Sequence, residues 1–206
     1  MARLITNANC IYIFGDYSNA AKYSGRCKDY GIKQLAGAMT VPRHFLIRGL
    51  TAVTIASATK VPWNRRWKLR EARWVLNKMQ MWHKAGNPNL LHMIQLLDTE
   101  IKSLNRVNKN KAEALYKKAI QSAARIGSLN DKALAHELAG RFYLNVLGDT
   151  YWAAYQFGNA IESYRSWGAE AKVNDIMKRY GSVVSWDGGS SDQATSQDLT
   201  FVLNNK

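Results

Sequence analysis

Small and aromatic residues return along residues 112–168 at intervals of four and three, the spacing that puts side chains on one face of a helix. Ala112, Tyr116, Ala119 and Ala123 form a stripe that is small, aromatic, small and small. The same order comes back 41 positions on: Ala112, Tyr116, Ala119, Ile120, Ser122 and Gly127 match Ala153, Phe157, Ala160, Ile161, Ser163 and Gly168. A weaker copy, Ala72, Leu76 and Met79, stands 40 residues before Ala112, Tyr116 and Ala119 and closes at Gly86. A small stripe with one ring suits a close helix crossing. Repetition at this period predicts antiparallel helical hairpins that bury each other's apolar faces.

Punctuation along the chain divides it into about eight helices. The first runs from Ala2 to Phe14 and closes at Gly15; the second starts near Ser18 and ends near Gly31. Pro42 opens a helix that runs to about Thr59, with Phe45, Leu46, Gly49, Leu50, Val53 and Ala56 as its buried stripe. Lys60 to Asn64 reads as a turn, followed by a helix over Arg65 to Ala85. Asn87-Pro88 opens the next one, by side-chain capping and a proline in the first turn. Its seam is Leu90, Ile94, Leu97, Ile101 and Leu104. Asn110 with Glu113 forms a capping box, Asn130 or Asp131 caps the following helix, and that helix ends at Gly148. Trp167 and Gly168 close the second main copy, and a last helix covers Ala169 to Tyr180. The expected fold is all-α, a short tetratricopeptide-like solenoid over residues 1–180 with a concave groove. GDYSNAAKYSG at 15–25 matches GDTYWAAYQFG at 148–158, so the chain opens inside a repeat unit and looks truncated at its N-terminus. Residues 181–206, rich in Ser, Gly and Gln, are expected to be a disordered tail or linker.

Charge adds one asymmetry. The net charge is +14; residues 1–110 carry 18 Lys and Arg against 5 Asp and Glu, while residues 111–206 carry 11 against 10. A field of this kind favours acidic partners without choosing among proteins, nucleic acid and anionic lipid. The longest apolar stretch, Gly49 to Thr59, is far below the ~20 residues of a membrane helix, and residues 1–15 make a poor signal peptide. A cytoplasmic protein with no membrane span is expected. Cys10 and Cys27 cannot build a disulfide framework and are expected to be buried thiols.

Catalytic chemistry finds little to work with. There is no GxxxxGK[ST] run, and the His136-Glu137 pair lacks the second histidine of HExxH because position 140 is Gly. His83 and His92 flank the Gly86 turn without a nearby carboxylate or thiol and read as exposed turn residues. No catalytic residue, metal site or cofactor is expected. Trp63, Trp67, Trp74 and Trp82 are interleaved with Arg65, Arg66, Lys68, Arg70 and Arg73. Such a mixture grips single-stranded nucleic acid by stacking and phosphate neutralisation. The competing and favoured expectation is that the indoles pack between helices under arginine stems, with Arg70 among the core rings or in a cation–π stack.

Residues 133–180 are similar to the helical-repeat region of large multidomain signalling ATPases, in which kinase-like and AAA/STAND-type NTPase parts precede tetratricopeptide-like helices and GAF, histidine-kinase or cyclase modules follow. The residues that carry it are Ala133-Leu134-Ala135, Glu137-Leu138-Ala139, Phe142-Tyr143-Leu144, Gly148-Asp149, Tyr164, Trp167-Gly168-Ala169, Lys172-Val173 and Tyr180, with weaker matches back to about Ile13. Met177 departs from a usual leucine. The resemblance implies a non-enzymatic scaffold or signal-relay module that contacts a protein partner or other modules of a larger chain. The alternative expectation is a helical-repeat protein that binds nucleic acid through residues 60–84.

Overall fold

The computed structural model describes residues 2–26, 40–104 and 109–185. Within them lie nine α-helices and no strand: α1 (Ala2–Ile13), α2 (Tyr17–Arg26), α3 (Thr40–Ala58), α4 (Pro62–Lys84), α5 (Leu91–Ser103), α6 (Lys109–Arg125), α7 (Leu129–Phe142), α8 (Thr150–Ser166) and α9 (Glu170–Val184). Each packs on its successor, as short connections between antiparallel helices require. In addition α1 packs on α3, α3 on α5 and α5 on α7, whereas the even-numbered helices do not pack on one another in this way. Helices α1, α3, α5 and α7 therefore form one packed row, with α2, α4 and α6 laid against it. This is an all-α helical-repeat arrangement.

The repeat stripe is the seam of that stack. Tyr116 is 2% exposed and Phe157 0%, and Ala112, Ala119, Ala153 and Ala160 are buried with them. Each ring is caught by a partner: Tyr116 lies 5.6 Å from Phe142, and Phe157 stacks on Tyr180 at 4.2 Å. Gly127 and Gly168 hold φ of 71° and 81°, left-handed values that let the chain reverse after α6 and α8 without a Cβ clash. Trp167, beside Gly168, is 48% exposed and lies outside the buried seam.

Two helical glycines test how tight the packing is. A Cβ on Gly140 would sit 2.9 Å from Cδ1 and Cε1 of Phe157, whose ring is held against Tyr180. A Cβ on Gly158 would meet nothing within 4 Å. Both substitutions gain about 1 kcal/mol of helix propensity. Gly158→Ala is expected to keep that gain, while Gly140→Ala is expected to lose about 1–3 kcal/mol to overpacking. Urea melts of the two variants read the difference. Equal stabilisation of both would mean that the Phe157 ring yields freely.

Several boundaries move from their sequence-based positions. α4 begins at Pro62, not Arg65, because proline at the first position suits a helix start and needs no N–H partner. Asn87 makes no side-chain cap; Pro88–Leu90 forms a 3-10 turn that leads into α5. α6 starts at Lys109, so Asn110 lies one residue inside it rather than before it. Ser128, not Asn130 or Asp131, is the residue before α7, and its hydroxyl lies 2.8 Å from both Asn130 Oδ1 and Asp131 Oδ2, with one proton to share between them. α7 runs on as a π-helical turn, Tyr143–Leu147, and stops at left-handed Gly148. α9 reaches Val184, beyond the expected end at Tyr180, because Gly181 accepts a helical backbone and Val183 and Val184 pack on the second core. Gly31, Cys27 and residues 186–206 of the expected tail lie outside the described residues. Cys10 is exposed, not buried, since it falls off the Ile5–Ala8–Tyr12 face of α1.

Candidate functional site

Helix α4 carries two apolar stripes. Leu69, Ala72, Leu76 and Met79, with Val75, are buried against α3 and α5. Trp63, Trp67, Arg70 and Trp74 repeat at four, three and four residues on the opposite side, a spacing that aligns them along one face. Among the described residues α4 packs chiefly on α3 and α5, which leaves most of that second stripe uncovered. Trp63 is 76% exposed, Trp67 51% and Trp74 45%. The expectation of indoles packed between helices therefore fails for three of the four; Trp82 alone is half-buried, edge-on to Phe45 at 4.7 Å.

The basic residues divide by direction. Arg66, Arg70 and Arg73 are exposed beside the indoles. Arg65 points the other way and donates from Nη2 to the Leu104 carbonyl at the end of α5, 3.2 Å away. Lys68 Nζ donates to Glu71 Oε2 at 3.0 Å and lies 5.0 Å from the Trp67 ring. The arginine stacked on an indole comes from α3, not α4: Arg48 sits 5.0 Å from the Trp74 ring centre and donates from Nε to Glu71 Oε1 at 2.9 Å. Phe45 backs Trp74 with its ring centre at 6.0 Å. Only the structure reveals Arg48 and Glu71 as part of this face. A lone carboxylate among seven Lys and Arg of α4 was the available signal.

Arg48, Trp67, Arg70, Glu71 and Trp74 line an open cavity of about 240 Å³. Small-molecule sites run from ~300 to ~1,000 Å³, so this one has room for a single flat ring system and not for a whole nucleotide cofactor. Burial raises the Glu71 pKa, but the Lys68 and Arg48 hydrogen bonds outweigh it and hold the carboxyl below its usual range. It is a fixed acceptor in a cationic surface.

A second set of polar groups belongs to the packed row and ties it together. Asp131, 3% exposed, accepts from His92 Nε2 of α5 at 2.9 Å and pairs with Arg43 of α3. His92 is thus buried, not an exposed turn residue, whereas His83 Nδ1 caps its own turn on the Asn87 carbonyl at 2.9 Å. Lys172, 2% exposed, donates to Glu137 Oε1 at 2.9 Å, to Asp175 Oδ2 at 3.0 Å and to the Ile13 carbonyl at 2.6 Å. The last helix is thereby pinned to the end of the first. Tyr116 donates to Glu100 Oε1 at 2.5 Å and Tyr164 to Glu137 Oε2 at 3.0 Å. These bonds satisfy buried charge inside the stack.

No group of three or more metal-ligating side chains comes together among the described residues. No described helix is long and apolar enough to cross a membrane. The fold and the α4 face define a helical-repeat protein with an aromatic and basic outer surface. No protein-family model, curated protein or solved structure matches the chain.

Proposed function

We propose that this chain is a non-enzymatic interaction module that docks an acidic partner on the outer face of α4. The observation that supports the reading is the alignment of three half-exposed or more exposed indoles between Arg66, Arg70 and Arg73. Leaving such a stripe in water forfeits the transfer free energy that would bury it, and contiguous apolar surface of this kind marks interaction sites. Tryptophan and arginine are the residues on which interfaces most often hinge. In the multidomain setting that the resemblance to signalling ATPases implies, the same face would meet an acidic surface of a neighbouring module.

Retention on a polyanionic matrix such as heparin at ~50 mM salt tests this directly. The native chain is expected to bind and to elute as salt rises. The triple variant Arg66→Ala, Arg70→Ala, Arg73→Ala should elute markedly earlier, with a salt slope smaller by up to about three. All three side chains are exposed, so an unchanged melting temperature is expected alongside. Identical elution of native and variant chains would move the binding face elsewhere.

A further inference from the structure

We infer that α4 holds a single-stranded nucleic acid, with an unpaired base seated in the cavity between Trp67 and Trp74. The inference rests on α4 being the binding face and names the chemistry of what binds there. Three features favour a strand of nucleotides over an acidic polypeptide.

First, the exposed groups are flat. Trp63, Trp67 and Trp74 stand one and two helical turns apart, about 6 Å and about 10 Å along the axis. Trp63 is the most open of the three, and Trp67 and Trp74 each keep about half of their surface in solvent beside their contacts with Lys68 and with Arg48 and Phe45. Bases stack on such rings whatever their sequence, and each stack is worth ~1–3 kcal/mol by alanine substitution. Carboxylate side chains have no ring to place there.

Second, the cavity has a carboxylate in its wall. Glu71 is locked by Arg48 and Lys68, one on each oxygen, yet each oxygen keeps a free lone-pair direction. A ligand that presented carboxylates or phosphates to this point would meet repulsion. A base edge presents ring N–H or amino donors, which a carboxylate accepts. The cavity therefore suits the one part of an anionic strand that is uncharged and rich in donors.

Third, the positive charge lies where a backbone would pass. Arg70 lines the cavity and lies between the two indoles, and Arg66 and Arg73 stand one turn either side of it. Arg48 is committed to Glu71 and to the Trp74 ring, so it braces the cavity. This division, rings for bases and loose arginines for phosphates, is how a strand is gripped without reading its sequence.

The test is a titration of the full chain with a fluorescein-labelled 20-nucleotide oligo-dT, followed by anisotropy and by tryptophan emission, beside polyglutamate of equal charge and vesicles of phosphatidylserine. Oligo-dT is expected to bind and quench the indoles. Trp67→Ala and Trp74→Ala should each weaken it about tenfold or more, Trp67→Ala at unchanged melting temperature, and Trp67→Leu, which keeps the apolar bulk, should weaken it like Trp67→Ala. Trp167→Ala, at an exposed indole outside α4, should leave the affinity unchanged. If polyglutamate or vesicles bind as tightly as oligo-dT, the nucleic-acid inference falls while the acidic-partner reading stands. If oligo-dT binds but Trp67→Ala and Trp74→Ala change nothing, the base pocket falls. If no polyanion binds at low salt, both fall together.

Discussion

Lys172→Met is expected to remove about 3–5 kcal/mol of stability, the cost of breaking a buried ion pair by taking one partner away. Domains of this size are stable by only ~5–15 kcal/mol in all, so the variant should melt far below the native chain. The ammonium is enclosed, and three acceptors depend on it: the Glu137 carboxylate, the Asp175 carboxylate and the Ile13 carbonyl. Methionine fills the volume but offers none of them a proton. Asp175 keeps its bond from Arg179, while Arg179 approaches Glu137 only to 3.9 Å. Glu137 would thus be left charged and 3% exposed. Adding Glu137→Gln to Lys172→Met should recover at least half of the loss, because an amide carries no charge and its oxygen still accepts from Tyr164. Chemical denaturation of the single and double variants measures both quantities. A loss below about 1 kcal/mol for Lys172→Met would mean that α9 does not clasp α1 in solution.

Acid should weaken the fold well before its carboxylates are titrated. Burial, with the charge of Arg48 adding to it, pushes His44 down to about 4. Burial does the same to His136, also to about 4, with Lys132 adding and the Gln156 hydrogen bond opposing. In the unfolded chain both rings take a proton near pH 6.5. As the pH falls from 6.5 to 4 the unfolded state therefore binds protons that the folded state refuses, and stability falls. At 1.36 kcal/mol per unit of displacement, each histidine contributes a loss of about 2–3 kcal/mol over that window. Glu100 works in the opposite direction. Burial holds its pKa up, against the Tyr116 bond and the Arg141 charge, so its neutral form is favoured in the fold and acidification relieves some strain. Asp131 is held low, despite its burial, chiefly by the His92 hydrogen bond and by Arg43, so its stabilisation persists until lower pH. Urea midpoints at pH 7, 5 and 4 should decline steadily, and His44→Phe with His136→Gln should flatten the decline. His44 is the cleaner site, because neither of its ring nitrogens has a hydrogen-bond partner and phenylalanine leaves nothing unsatisfied. A native chain equally stable at pH 7 and pH 4 would refute the assignment.

The helices and their order were legible in the sequence because a 3.6-residue period is a local property. Ala112, Tyr116 and Ala119 lie on one face by geometry alone, and their return at Ala153, Phe157 and Ala160 already implies two hairpins stacked alike. The caps were less legible. Ser128, Asn130 and Asp131 all have side chains able to close a helix start, and Asp131 turns instead to His92 and Arg43, groups 39 and 88 residues away. Lys172 sits between Ala169 and Ile176 on the apolar side of α9, a position that by itself names no partner. Its partner carboxylate and the Ile13 carbonyl come from α7 and α1, 35 and 159 residues away, which only the tertiary structure brings near.

By itself the sequence determined that the chain is helical, where its reversals fall and which residues form the repeated seam, since backbone sterics and side-chain spacing act over a few residues. On α4 it placed Ala72, Leu76 and Met79 in the repeated seam and favoured packing of the indoles between helices as well. Only the tertiary structure separated the two faces: α3 and α5 cover one side of α4, while Trp63, Trp67 and Trp74 keep about half or more of their surface exposed. Burial is a property of neighbours, and neighbours are set by how the whole stack packs.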